Sequence, residues 1–255
     1  MNTQQLFALN EKTAVVTGGE SRLGRYITEG LLESGATVIL ASPDRENAKK
    51  LVDSHKQKSS SIEYLYFSLD DHESIVKAKE DIKTQFGAID ILINNAIAHP
   101  MKSFDDPLKL WEESMKINAT GLFDFIREFS TLFGNSGVIL NIASMQGTYA
   151  PDFSLYTNTD KDSPPDYHFH KGGLIALTKY LAGKLAVRKI RVNSLSPGAF
   201  FNHQSEPFYS RYINKVPLQR MAVGDDIKGA AVFLVSDASA YITGQDLLMD
   251  GGLHG

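Results

Sequence analysis

The chain contains no cysteine. Disulfides, thiolate metal sites and a cysteine nucleophile are therefore excluded, and a reducing compartment is consistent with the absence. Basic charge is not in excess either: 26 Lys plus Arg stand against 30 Asp plus Glu, a formal net charge of −4. No nucleic-acid partner is expected, because neutralising phosphates needs a cationic face. Apolar runs are too short for a membrane span, and the opening MNTQQLFALNEK has neither a basic nor an apolar segment. The expectation is no secretory leader, no membrane partner and a cytoplasmic protein. No linker, repeat or low-complexity stretch is visible. The 42% hydrophobic and 22% charged residues give a globular balance, and the 255 residues read as one domain, 1–255.

What the chain does have is a regular alternation of apolar runs and helical patterns. Strands are predicted at 14–16, 37–41, 62–67, 89–93, 138–142, 190–195 and 246–249. Helices are predicted at 22–34 (stopped by Gly35), from Asp44 to near His55, at 71–86 (stopped by Gly87), at 107–133 with a break near Asn118, at 165–189 and at 225–236. Strands alternating with crossover helices predict an α/β fold, a doubly wound parallel sheet with helices on both faces. The runs VVT, ILINNA and VILNIAS lack two-residue alternation, as strands buried on both faces do. The irregular stretch 147–166 reads as a surface excursion near the site that the strand ends build.

In an open parallel sheet, ligands sit at the carboxyl ends of the strands. Thr17-Gly18-Gly19, Ser42, Ser68, Asn94-Asn95-Ala96, Ser144 and Ser196-Pro197-Gly198 fall there. They are mostly small or polar, which suits a ligand whose phosphates need backbone N–H groups. The turn from Thr17 to Gly24 follows a strand and opens a helix, so its glycines permit close approach of a pyrophosphate; a plain tight turn has the same pattern. Tyr167 and Lys171 lie four apart on one helix face. An ammonium there lowers the phenol's pKa and lets it exchange a proton near neutral pH. Ser144 is a candidate to hold a substrate oxygen from the opposite side.

In order, TGGESRLG, ILINNA, MKINATGLF, ILNIASMQG, YHFHKGGL, IRVNSLSPG and YITGQDLLMDGG span nearly the whole chain. They resemble the short-chain dehydrogenase/reductase family, in its compact single-domain branch with a Rossmann-like sheet. The resemblance implies hydride and proton exchange at a carbonyl carbon. Tyr167 matches the general acid/base, Lys171 the residue that lowers its pKa and contacts the nicotinamide ribose, Ser144 the group that polarises the substrate oxygen, and Asn118 the holder of a relay water. It also implies cofactor contacts at Thr17, Gly18, Ser21, Arg22, Leu23 and Gly24 in the turn. Further contacts are implied at Ser42 and Arg45 after the second strand, Ser68 and Leu69 after the third, Asn95 and Ala96 after the fourth, Tyr167 and Lys171, and Pro197 and Gly198.

The chain departs from the family pattern on the cofactor side. Arg22 replaces the middle glycine of the turn, where it either obstructs the cofactor or reaches a phosphate. Ile97 follows Asn94-Asn95-Ala96 where a glycine is usual, and Ser68 takes the place of an aspartate that touches adenine. Ser42 replaces the acid that binds the ribose 2′-hydroxyl in NAD users. With Arg45 close by, NADP(H) is expected over NAD(H).

Twenty-three residues separate Ser144 from Tyr167, a wide gap for this branch. The inserted loop, 148–166, is expected beside the nicotinamide end; a neutral surface insertion is the plain alternative. The segment 199–222 is the expected substrate lid. Its Arg211, Lys215 and Arg220 against Glu206, with interleaved aromatics, suggest a small anionic or polyhydroxylated substrate such as a modified sugar or sugar acid; charges facing water are the alternative. The stretches SPPDYHFHKGGLIALTKYLA and NSLSPGAFFNHQSEPF are similar to reductases of bacterial surface-sugar and flagellin-glycan biosynthesis, which implies a carbohydrate pathway. His168, His170 and His203 are candidates to line the pocket, without a metal site. The resemblance further implies a homodimer or homotetramer through the helices carrying Leu122, Phe125, Ile126, Phe129 and Leu132, and Leu174, Leu177, Leu181 and Leu185. Competing readings are a 3-oxoacyl or small-ketone reductase, a sugar epimerase or dehydratase, and a cofactor-impaired homologue acting as a binding partner.

Overall fold

The computed structural model describes residues 2–57, 61–159 and 162–255. In chain order the elements are α1 (Thr3–Phe7), β1 (Thr13–Thr17), α2 (Arg22–Glu33), β2 (Thr37–Ala41), α3 (Arg45–Lys56), β3 (Ile62–Leu65), α4 (His72–Phe86) and β4 (Ile89–Asn94). They continue with α5 (Leu108–Ser114), a π-helical segment (Met115–Gly121), α6 (Leu122–Phe129), β5 (Phe133–Ile142), α7 (Pro165–Leu185), β6 (Ile190–Pro197), α8 (Phe208–Lys215), α9 (Gly224–Val235) and β7 (Asp246–Met249). The strands form one parallel sheet in the order β3-β2-β1-β4-β5-β6-β7. The order reverses between β1 and β4, which opens the crevice where such sheets take ligands.

The apolar strands hide a two-residue period. Ala14 and Val16 of β1 face one core with Val38, Leu40, Ile27, Leu31, Ile227 and Leu234. Val15 faces the other, with Ile39, Leu92, Ile139, Ile82, Phe125, Phe129 and Leu181. Both faces are covered by helices, so neither can be polar, and the pattern reads as a continuous run. Each buried Val, Leu, Ile or Phe side chain among these stabilises the fold by about 1.5–3 kcal/mol. Helix starts follow side-chain capping: Ser21 accepts from Gly24 N–H, Asp44 from Asn47 N–H and Asp71 from Ser74 N–H.

Several boundaries differ from expectation. The stretch 107–133 is four helical segments, α5, a π-helical one centred on Asn118, α6 and a 3₁₀ turn (Ser130–Leu132), where the sequence shows only a weak break. β5 begins at Phe133, five residues early. It carries a bulge opposite Ile89 to Ile91, and the Gly-Asn-Ser-Gly run there reads as a turn. β3 ends at Leu65, and α7 ends at Leu185 before a short 3₁₀ turn. α1 and α8 were not expected from periodicity. α8 lies inside the lid segment and packs Phe208 and Tyr212 against Leu155, Val216 and Met221.

Candidate active site

Beyond the ends of β4, β5 and β6 lies a cavity of about 1020 Å³. Of the residues implied by the resemblance, Arg22, Leu23, Asn95, Ser144, Tyr167, Lys171, Pro197 and Gly198 line it. Ser144 leaves β5 on a short turn whose Gly147 lies against α7. A Cβ on Gly147 would stand 2.6 Å from the carbonyl carbon of Lys171, so only glycine lets the Ser144 turn reach the tyrosine helix. A buried chain of hydrogen bonds stiffens the floor. Asn94 Nδ2 donates to Asn141 Oδ1 (2.7 Å), and Asn141 Nδ2 donates to Thr178 Oγ1 (2.8 Å) on α7.

Tyr167 lies near the Ser144 hydroxyl in the cavity wall, and its ring stacks on His99 with centroids 5.7 Å apart. Burial holds the phenol above its ordinary pKa, opposed by the nearby Ser144 hydroxyl and the Arg22 charge. Lys171 is buried, and its ammonium donates to the Ile142 carbonyl at 2.6 Å, 5.5 Å from the centre of the tyrosine ring. Burial pushes the Lys171 pKa down to about 8. The Lys171 ammonium thus stands beside the tyrosine ring while donating to a main-chain carbonyl, and the Arg22 charge also favours the phenolate.

Asn118 is buried, and both its amide donors are taken, by Ala98 O (2.9 Å) and Ser114 Oγ (3.1 Å). Its Oδ1 accepts from Ala98 N–H (2.9 Å). Any relay role therefore falls to its main chain, in the π-helical segment. Thr17 is tied into the sheet end. It is buried, its hydroxyl donates to Ile93 O and accepts from the N–H groups of Asn95 and Ala96, and it does not line the cavity. Asn95 Nδ2 donates to Thr17 O, Gly18 O and Ser21 Oγ. Thr17 and Asn95 thus hold the turn in shape, and Asn95 also reaches the cavity.

Gly18, Ser21, Gly24 and Ala96 build the turn behind the cavity wall. Arg22 opens α2 and faces the cavity with no hydrogen-bond or ion-pair partner among the described residues. An unpaired guanidinium at a helix N-terminus fits a pyrophosphate, so the residues present suit a nicotinamide dinucleotide. Ser42, Arg45, Ser68 and Leu69 follow β2 and β3, beyond the cavity on the same edge of the sheet. There Ser68 Oγ donates to Asp70, and Ser42 Oγ donates to Glu20 Oε1 at 2.6 Å.

The lid cations are already engaged. Lys215 pairs with Asp152, Arg220 with Asp226, and Arg211 donates to main-chain carbonyls of residues 154, 155 and 157. Their excess charge therefore argues nothing about the substrate. The three expected histidines do not line the cavity either. His168 ties Gln146 O to Ser163, His170 meets Ser114 Oγ, and His203 packs on Phe201. His99 and His254 line it instead, with Lys102, Gln146, Tyr149, Tyr156, Asn202 and Gln204. His99 follows a strand end, the signal that marks such residues. Burial, with Lys171 and Lys102 nearby, holds its pKa below the ordinary value. His254 had no sequence signal, because its place depends on stacking at 3.9 Å on Tyr149 of the inserted loop. Residues 160–161 of that loop lie outside the described residues; Tyr149, Asp152, Leu155, Tyr156 and Asp162 from it line the cavity. No helix among the described residues is long and apolar enough to cross a membrane.

A family model described as enoyl-(acyl carrier protein) reductase matches residues 19–254. The 3-oxoacyl-(acyl-carrier-protein) reductase FabG of Aquifex aeolicus is 32% identical over 258 residues, 96% of this chain and 98% of that protein. A gluconate 5-dehydrogenase from Burkholderia cenocepacia, solved with NADP and tartrate, superposes with a TM-score of 0.89 at 27% identity, covering 99% of this chain and 98% of that one. A short chain dehydrogenase from Leptospira borgpetersenii with bound NAD+ gives 0.86 at 33% identity, covering 99% and 96%.

Proposed function

The chain belongs to the short-chain dehydrogenase/reductase family and is an oxidoreductase of CH–OH groups that uses NAD(P); from that premise we propose that it interconverts a secondary alcohol and a ketone on a polyhydroxylated substrate, a modified sugar or sugar acid. The observation that supports this is the convergence of Tyr167 and Ser144 in a cavity whose mixed walls carry several polar side chains among the apolar ones. Gln146, Tyr149, Asn202, Gln204 and His254 offer donors and acceptors to hydroxyl groups. Lys102 also faces the cavity and has no carboxylate within ion-pair distance among the described residues, which suits a substrate carboxylate.

In the reducing direction, the Ser144 hydroxyl and the Tyr167 phenol hold the carbonyl oxygen. As the carbon is reduced, the phenol gives its proton to the oxygen, leaving a carbinol and a phenolate. A bound nicotinamide supplies or accepts the hydride. Arg22 and the α2 N-terminus hold the pyrophosphate, and Lys171 holds the nicotinamide ribose and steadies the negative charge left on Tyr167. The inserted loop 148–166 and the lid 199–222 close over the substrate. The NADP(H) preference expected from Ser42 and Arg45 takes no account of Glu20, whose carboxyl occupies that corner. A homodimer or homotetramer through α6 and α7 belongs to the same reading; Phe123, Phe169 and Tyr180 stand exposed on those helices.

A second reading, reduction of 3-oxoacyl thioesters, is favoured by the family model and the Aquifex relative. Initial rates on a panel separate the two. Sugar acids and polyols with oxidised cofactor, and the corresponding keto compounds with reduced cofactor, are expected to exceed 3-oxoacyl thioesters in kcat/KM by on the order of tenfold or more. The reverse ranking gives the enzyme to acyl substrates.

A further inference from the structure

Resting on the oxidoreductase reading above, we propose that Glu20 is the cofactor-selecting residue of this chain: its carboxylate at the end of β2 receives a bare adenosine ribose and turns away a 2′-phosphate, so that NAD(H) is preferred.

In an open α/β sheet the ribose of a dinucleotide is met beyond the second strand, where a carboxylate accepts from the 2′-hydroxyl and repels a phosphate. At that place in this chain stands Ser42, which has no charge. The charge arrives from another element. Glu20 lies in the turn between β1 and α2, and the Ser42 hydroxyl donates to its Oε1 at 2.6 Å. This arrangement is fixed rather than incidental. Ser42 Oγ accepts from Asp44 N–H at 3.0 Å, so its single proton is directed to Glu20, and Ser42 O accepts from the Tyr64 hydroxyl at 3.0 Å. A serine at the strand end and a glutamate in the turn together put a carboxylate where a single aspartate would otherwise stand.

Glu20 Oε2 is enclosed by protein and has no hydrogen-bond partner among the described residues, so the carboxyl must turn outward to meet a ligand. A ribose hydroxyl donates to a carboxylate, whereas a 2′-phosphate at neutral pH brings only acceptors and further negative charge. The surrounding charges point the same way. Asp44 adds a second carboxylate beside Glu20, and Arg45 lies near the Tyr64 hydroxyl. The other nearby cation of the turn, Arg22, faces the opposite end of the groove, where it acts on Tyr167. One guanidinium against two carboxylates does not build a phosphate site.

The test is a fluorescence titration of the full-length protein with NADH and with NADPH, repeated on Glu20→Gln and Glu20→Ser, with the Tm of each variant measured alongside. Glu20→Gln keeps the shape and removes the charge. The expected result is that the unaltered protein binds NADH more tightly than NADPH by on the order of tenfold or more, and that both variants move this ratio to about one or below. Equal or tighter binding of NADPH by the unaltered protein overturns the proposal, as does a ratio unchanged in variants with an unaltered Tm. Binding of neither nucleotide overturns the oxidoreductase reading itself, an outcome distinct from misassigned selectivity.

Discussion

Tyr167→Phe is expected to lower kcat by about 10²- to 10⁴-fold while leaving the affinity for reduced cofactor nearly unchanged. The substitution removes one oxygen. It keeps the ring that stacks on His99 and the volume that Tyr167 fills in the cavity wall, so structural loss is small. What disappears is the proton donor beside Ser144. The pH profile offers a second readout of the same group. Because burial holds the phenol above its ordinary pKa, Tyr167 stays protonated through neutrality, and ketone reduction is expected to be flat between about pH 6 and about pH 8. Lys171 loses its charge as the pH rises through about 8, so reduction is expected to decline above that point. Alcohol oxidation, which needs the phenolate, is expected to rise over the same alkaline range. Retention of kcat within a few-fold in Tyr167→Phe, with normal cofactor binding, removes the phenol from the mechanism.

Gly24→Ala is expected to destabilise the protein by about 1–3 kcal/mol and to weaken cofactor binding by on the order of tenfold or more. Its sign is what makes it informative. Within a helix, glycine to alanine ordinarily stabilises by about 1 kcal/mol. Here a Cβ would lie 2.1 Å from Gly18 O, 2.8 Å from Asn95 Nδ2 and 2.8 Å from Gly19 Cα. Two of those atoms are main chain and the third is held by three hydrogen bonds, so none yields cheaply. The turn must open, and α2 must move away from the sheet with Arg22 at its N-terminus. A fall in Tm together with a raised Kd for NADH is the expected pair. A rise in Tm with unchanged Kd contradicts the packing derived for this turn.

The residues that were legible in the sequence are those whose roles are local. The Ser21, Asp44 and Asp71 caps, the glycine stops and the alternation of strands and helices each depend on a few neighbouring side chains, and they led to the parallel sheet. Ser144, Tyr167 and Lys171 were legible because strand ends and a four-residue helical spacing bring them to one place. Roles that need a distant partner were not. Glu20 gains its meaning from Ser42, twenty-two positions away, and His254 from Tyr149. The lid lysine and arginines looked free because Asp152 and the carbonyls of the inserted loop are remote in sequence. Thr17 has the composition of a ligand contact, but the backbone of β4 uses its hydroxyl. Helical periodicity failed at the π-helical segment, where one extra residue per turn leaves composition unchanged.

The most direct measurement of the central claim follows the hydride itself. The protein is incubated with a keto sugar acid and NADH carrying deuterium at the transferable position, and the product is analysed by mass spectrometry and NMR. The account predicts one deuterium on the new carbinol carbon, with the transfer lost in Tyr167→Phe. A carbinol formed without deuterium, or formed equally well by the phenylalanine variant, contradicts it.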